Sequence, residues 1–248
     1  MKKVSTLVFV IIISAAFGQN LKKKVYISQQ KAIMEKAYAW QDGQVYKNAL
    51  YQLIVFSDHP GVYKDSLANF YMRTAEFYSL IPLTDELLKA HPGEVKYLQM
   101  QAIAYENLGD IKKAIDLYEQ LFKKNPDDVS TGFRLAWNQY KLKRIDEAYA
   151  TLMSLKDKKF PEKILVQMPA GKDRMQGVPL KAAYYNLLGL VSYDLHNLKL
   201  AAGYFEQALK EFPDFFSAKQ NKAAVELMLQ KLDKSNNKKT KTKGIKTN

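Results

Sequence analysis

The run Ala102-Ile103-Ala104-Tyr105-Glu106-Asn107-Leu108-Gly109-Asp110-Ile111-Lys112-Lys113-Ala114-Ile115-Asp116-Leu117-Tyr118-Glu119-Gln120-Leu121-Phe122-Lys123-Lys124-Asn125-Pro126 sets a small residue at 102, another twelve places on at 114, and a proline twelve further at 126. Gly109 stops one helix and Asp110 caps the next. Pro126 ends the second, because proline cannot continue a helix and disfavours helical geometry in the residue before it. The run therefore reads as helix, turn, helix. An antiparallel hairpin brings Ala102 and Ala114 to one crossing point, where a small side chain lets the backbones approach. Leu98, Tyr105, Ile111, Ile115, Tyr118 and Leu121 recur around them at helical spacing and fill the rest of the interface.

The same ladder runs along most of the chain. Gly189, Ala201 and Pro213 repeat it without change, and Ala136 and Ala148 lead to Pro161, one place late. Ala37 and Ala49 lead to Pro60, one place early, while Ala68 leads to Leu80, where a small residue is expected, and then to Pro92. A period near 34 residues built this way implies stacked helix pairs. The units fall at about 30–60, 61–94, 95–128, 129–162 and 182–215, within a solenoid spanning 30–232 that closes on a capping helix over 216–232. Gln41-Asp42-Gly43 and His196-Asn197 supply further inter-helix turns. An all-α chain follows.

On these residues the chain resembles the tetratricopeptide-repeat (TPR) family. That pattern is a large residue, Leu-Gly, then small, aromatic, small and proline. It is met by Tyr185, Leu188-Gly189, Ala201, Phe205, Ala208 and Pro213, and by Leu98, Ala102, Tyr105, Gly109, Ala114, Tyr118 and Pro126. The resemblance covers most of residues 30–215. It implies a right-handed superhelical α-solenoid of helix-turn-helix repeats whose first helices line a concave groove. Carried onto this sequence, the family's ligand-contact positions are Met34 and Tyr38; Asn69 and Met72; Gln99, Ile103 and Glu106; Phe133, Trp137 and Tyr140; and Asn186, Leu190 and Tyr193. Such a groove suits an extended or helical peptide. Phe133, Trp137 and Tyr140 form its richest stretch, at i, i+4, i+7 spacing. Some members clamp a carboxyl terminus with lysine, asparagine and arginine. The corresponding positions here, Met34, Asp65, Gln99, Phe133 and Asn186, include no lysine, so that clamp is absent.

One interval breaks the ladder. Pro161 to Pro213 is 52 residues, about 18 more than one repeat, and the excess lies within 162–181. Gly171, Gly177, Pro169 and Pro179 argue against a continuous helix there, and Ile164–Val166 reads as a short strand or a packing plug.

The ends have their own character. Residues 1–18 carry Lys2 and Lys3, an apolar run from Val4 to Ile13, and Ala16-Phe17-Gly18, the pattern of a secretory signal cleaved before Gln19. The apolar-biased stretch is about 15 residues, where a membrane span needs about 20. A basic linker over 19–29 leads into the first helix, and residues 233–248 read as a disordered lysine-rich tail. The formal charge of +13 sits mostly on these ends: Lys2, Lys3, Lys22, Lys23 and Lys24, and seven lysines against Asp233 after residue 230. The repeats themselves are almost neutral. With no cysteine, disulfides, thiolate metal sites and a lipid-modified cysteine are all excluded.

Catalytic constellations are scarce. His59 and His91 precede prolines and His196 sits in a turn, positions that suit helix ends rather than a metal. Gly171-Lys172 lacks the rest of a phosphate-binding loop, and no Gly-x-Ser-x-Gly elbow occurs. The expected protein is an exported, non-catalytic scaffold or adaptor without cofactor or metal, in the periplasm or at the cell surface of a bacterium. It binds a protein or peptide and no nucleic acid. The alternative reading is a tether whose lysine tail makes weak contact with anionic lipid or polysaccharide. A remote third is an envelope hydrolase.

Overall fold

The computed structural model describes the backbone of residues 2–244 and the side chains of residues 20–234. Met1, at the head of the expected signal, and residues 245–248, at the end of the expected tail, lie outside the described residues. The chain divides into two compact units, Met1–Leu108 and Gly109–Asn248.

The first unit holds α1 (Lys2–Ala39), α2 (Gly43–Phe56), α3 (Pro60–Thr74), α4 (Phe77–Ala90) and α5 (Val95–Leu108). Leu50, Leu53, Leu67, Ala68, Tyr71, Leu80 and Leu87 make its core, with Met34 and Met72 packed against it. The stretch 19–29 is helical rather than a linker. Neither glycine nor proline interrupts it, and its residues have partners on the next helix. Tyr26 stacks edge-on against Phe56 with ring centroids 5.2 Å apart and donates to Gln52 Oε1 at 2.8 Å. Lys23 pairs with Asp58, and Ile27 packs on the core.

The second unit holds α6 (Ile111–Lys124), α7 (Val129–Lys141), α8 (Ile145–Ser154), β1 (Leu165–Pro169), β2 (Met175–Pro179), α9 (Leu180–Asp194), α10 (Leu198–Glu211) and α11 (Phe216–Gly244). The expected disordered tail is helical as far as Gly244: no glycine or proline lies between Pro213 and that residue to stop α11. The insertion is an antiparallel β-hairpin, with Val166 opposite Val178 and Met168 opposite Gln176. Period-2 alternation turns Met168 and Val178 inward, 3 % and 0 % exposed, and leaves Leu165 and Met175 outside.

The 34-residue period is legible in the backbone. Left-handed turn residues stand at Gln41, Ala75, Gly109 and Lys143, each 34 residues after the last, and then at His196, displaced by the hairpin. Asp42, Asp110, Asp128 and Asn197 cap the helices that follow such turns or loops, accepting from Val45, Lys113, Ser130 and Leu200 N–H respectively. The ladder residues Ala37, Ala49, Ala68, Leu80, Ala102, Ala114, Ala136, Ala148 and Ala201 are all buried.

Candidate functional site

In the second unit, the first helices α7 and α9 bring together part of the expected site. Trp137 stacks on Phe133 at 6.3 Å and 21°, and Tyr140 follows at 6.4 Å from Trp137. Lys143 Nζ lies 5.3 Å from the centre of the Tyr140 ring and pairs with Asp194 of α9 at 3.1 Å. Tyr140 in turn donates to Asp194. Burial first, and then the Asp194 carboxylate, pushes its phenol up to about 12. Tyr193 is near enough to add to that shift. Trp137, Tyr140, Leu190 and Tyr193 are each half-buried, offering part of a ring or side chain to a ligand.

Two expected contacts are closed. Phe133 is 3 % exposed, in the core cluster that includes Ala182, Ala183 and Leu187 of α9. Its ring is the base on which Trp137 rests, not a ligand contact. Asn186 is 1 % exposed because α11 covers it, Asn221 Nδ2 donating to its Oδ1 at 3.1 Å. The i, i+4, i+7 stripe thus begins in the core and emerges at Trp137.

In the first unit Tyr38 is the most open of the expected residues, at 59 %. Met34 and Met72 are half-buried on the core, and Asn69 spends its amide on the Asp65 carbonyl one turn back. Gln99, Ile103 and Glu106 are half-buried along α5.

Sequence reasoning passes over a hollow beside Tyr38. This open hollow of about 550 Å³ is lined by Tyr38, Gln41, Tyr46, Phe70, Arg73 and Thr74, among others. The Arg73 guanidinium lies 5.5 Å from the Tyr38 ring centre, and Tyr46 bridges Tyr38 and Phe70 at 5.7 and 5.6 Å. Burial pushes the Tyr46 phenol up, against the opposing pull of Arg73. A second hollow of about 360 Å³ adjoins it, sharing Ala37 and Asp42, with Ile33, Lys36, Trp40 and Val45 around it. Trp40 is 74 % exposed. Its position just before the Gln41-Asp42-Gly43 turn was the available signal. Among the described residues, no group of three or more His, Asp or Glu is placed to hold a metal ion.

The comparisons with known proteins agree with this architecture. The family model described as tetratricopeptide repeat matches residues 107–167. No curated protein matches the chain in sequence. Among solved structures, a tetratricopeptide-repeat protein from Parabacteroides merdae is similar over 82 % of this chain and 75 % of its own, with 14 % identity and a TM-score of 0.62. MamA from Desulfovibrio magneticus is similar over 76 % and 96 %, with 12 % identity and a TM-score of 0.60. YrrB, described as a TPR protein with an unusual peptide-binding site, is similar over 77 % and 88 %, with 13 % identity and a TM-score of 0.60. Repeat ladder, turn period and fold agree: residues 107–167 match the tetratricopeptide-repeat family model, and the chain has the fold of the tetratricopeptide-repeat structures it is similar to.

Proposed function

We propose that this chain is an exported, non-catalytic scaffold that holds an extended or helical segment of a protein partner against the first-helix face of its second unit. The observation that carries the reading is the half-buried row Trp137, Tyr140 and Tyr193, held in place from behind by Phe133 and from the side by Asp194 and Lys143. Rigid, partly exposed aromatic rings give a partner contact area at low entropic cost. YrrB, of like fold, is described by its peptide-binding site, which adds support.

Capture of partners from envelope extracts, with the parent and with Trp137→Ala/Tyr140→Ala as baits, tests the site. Loss of the same partner bands from the double variant is expected, and undiminished recovery overturns the assignment. Export rests on residues 1–18. Intact mass of protein secreted by a competent host should begin at Gln19, and retention of Met1 in the cytoplasmic fraction would reject it.

A further inference from the structure

We propose that the paired hollows at the α1–α2 turn form a second recognition site, for a partner's peptide segment that carries an acidic side chain beside an apolar one. Arg73 takes the carboxylate and the Trp40 hollow takes the apolar neighbour. The site lies wholly within the first unit and does not depend on Trp137 or Tyr140.

At this turn two cations have no carboxylate partner among the described residues. Among the described residues most neighbouring charges in this unit are matched: Lys23 with Asp58, Lys47 with Glu76, Lys64 with Glu86, Lys96 with Asp65. Arg73 and Lys36 are the exceptions at the turn. Each lies instead on an aromatic ring, Arg73 at 5.5 Å from the Tyr38 centre and Lys36 at 5.5 Å from the Trp40 centre. A cation over a ring is held in place while its N–H edge stays free to donate. The planar arginine edge matches a carboxylate in two-point fashion.

The surroundings suit such a ligand. Tyr38, Tyr46 and Phe70 form continuous walls around Arg73 by ring contacts of 5.7 and 5.6 Å. These walls set apolar ring surface beside the guanidinium. Gly43 keeps one wall open, since a Cβ there would meet the Phe70 ring at 3.3 Å. Asp42, common to both hollows, is engaged as the cap of α2, its carboxylate accepting the Val45 N–H at 3.1 Å. Next to it, Ile33, Trp40 and Val45 expose 41 %, 74 % and 40 % of their surfaces around the smaller hollow. Scattered exposed apolar residues need no explanation, but a cluster of them rimmed by unmatched cations marks a recognition surface.

Selection from a random displayed peptide library, with the full chain as target, tests the site. Enriched peptides should carry Asp or Glu next to an aromatic or aliphatic residue. Arg73→Gln should weaken their binding about tenfold, the loss of one charge-assisted pair, and Trp40→Ala should weaken it further. Both positions are exposed, so both variants should melt like the parent. The same peptides should bind Trp137→Ala/Tyr140→Ala unchanged, which separates this site from the face of α7 and α9. No enrichment, enrichment of peptides without acidic residues, equal binding to Arg73→Gln, or loss of binding in the Trp137 variant would each overturn the proposal.

Discussion

Gly189 of α9 faces Phe205 of α10 so closely that a Cβ at position 189 would sit 2.4 Å from the phenylalanine ring. Phe205 is 1 % exposed and has no room to retreat. Two effects compete in Gly189→Ala. Helix propensity favours alanine by about 1 kcal/mol, whereas overpacking a filled core costs about 1–3 kcal/mol. The clash wins. Urea unfolding should show a net loss of up to about 2 kcal/mol, and Phe205→Leu in the same chain should recover part of it. A stabilised single variant would mean that α10 yields more easily than its burial indicates.

Asp128 supports the start of α7 with three hydrogen bonds, from Ser130 N–H, Thr131 N–H and the Thr131 hydroxyl. Asp110 accepts a single backbone bond at 3.3 Å, from Lys113. Asp128→Ala should therefore cost about 1–2 kcal/mol and Asp110→Ala about half that. Equal losses in chemical denaturation would contradict this ranking.

Gln176 joins the hairpin to the entry of α11 twice, its amide donating to Asp214 O at 2.8 Å and its carbonyl accepting from Phe216 N–H. Gln176→Ala should raise hydrogen exchange and proteolysis across 165–179 without changing helix content. Gln176→Glu retains the acceptor but not the donor and should fall between. Exchange that is indifferent to both changes would show that Met168 and Val178 alone hold the hairpin.

Alkaline pH should destabilise the fold. Tyr140 titrates at about 12 when folded, and an unfolded tyrosine at about 10. The folded value is the higher one, so stability is unaffected below about pH 10 and falls as pH rises from there towards 12. Tyr184 and Tyr71 are pushed up in the same direction, by burial first. Urea midpoints from pH 9 upward, in steps of about half a unit, should show this decline, and Tyr140→Phe should lessen its slope. A variant with the parent's slope would remove Tyr140 from the account.

The ladder was legible because its residues act locally. Asp110 caps its own helix, Pro126 ends its own helix, and Ala136 and Ala148 are small for a reason that spacing reveals. The hairpin was half legible: Gly171 and Pro169 exclude a helix, but strand pairing depends on what Val178 and Met168 find beneath them. The site was legible only in part. Phe133, Trp137 and Tyr140 share one stripe in sequence, yet the stripe passes from core to surface, and only neighbours on α9 decide where. Asn186 was lost to Asn221, 35 residues away. Arg73 stayed unseen because its importance lies in a missing partner, which no spacing records.

An ideal repeat array is held together by nearest neighbours, and its last repeat frays first. The hairpin changes that rule at one end. Ser217 donates to Pro169 O across 48 residues and Gln176 reaches Asp214 across 38, so the segment before the fifth helix pair is clasped to the segment after it. α9 and α10 then form the span of a closed ring whose two ends are buckled together. They cannot peel away one helix at a time. The C-terminal rung opens only when its buckle does, which makes it a cooperative terminus in an architecture whose termini are ordinarily the first to let go.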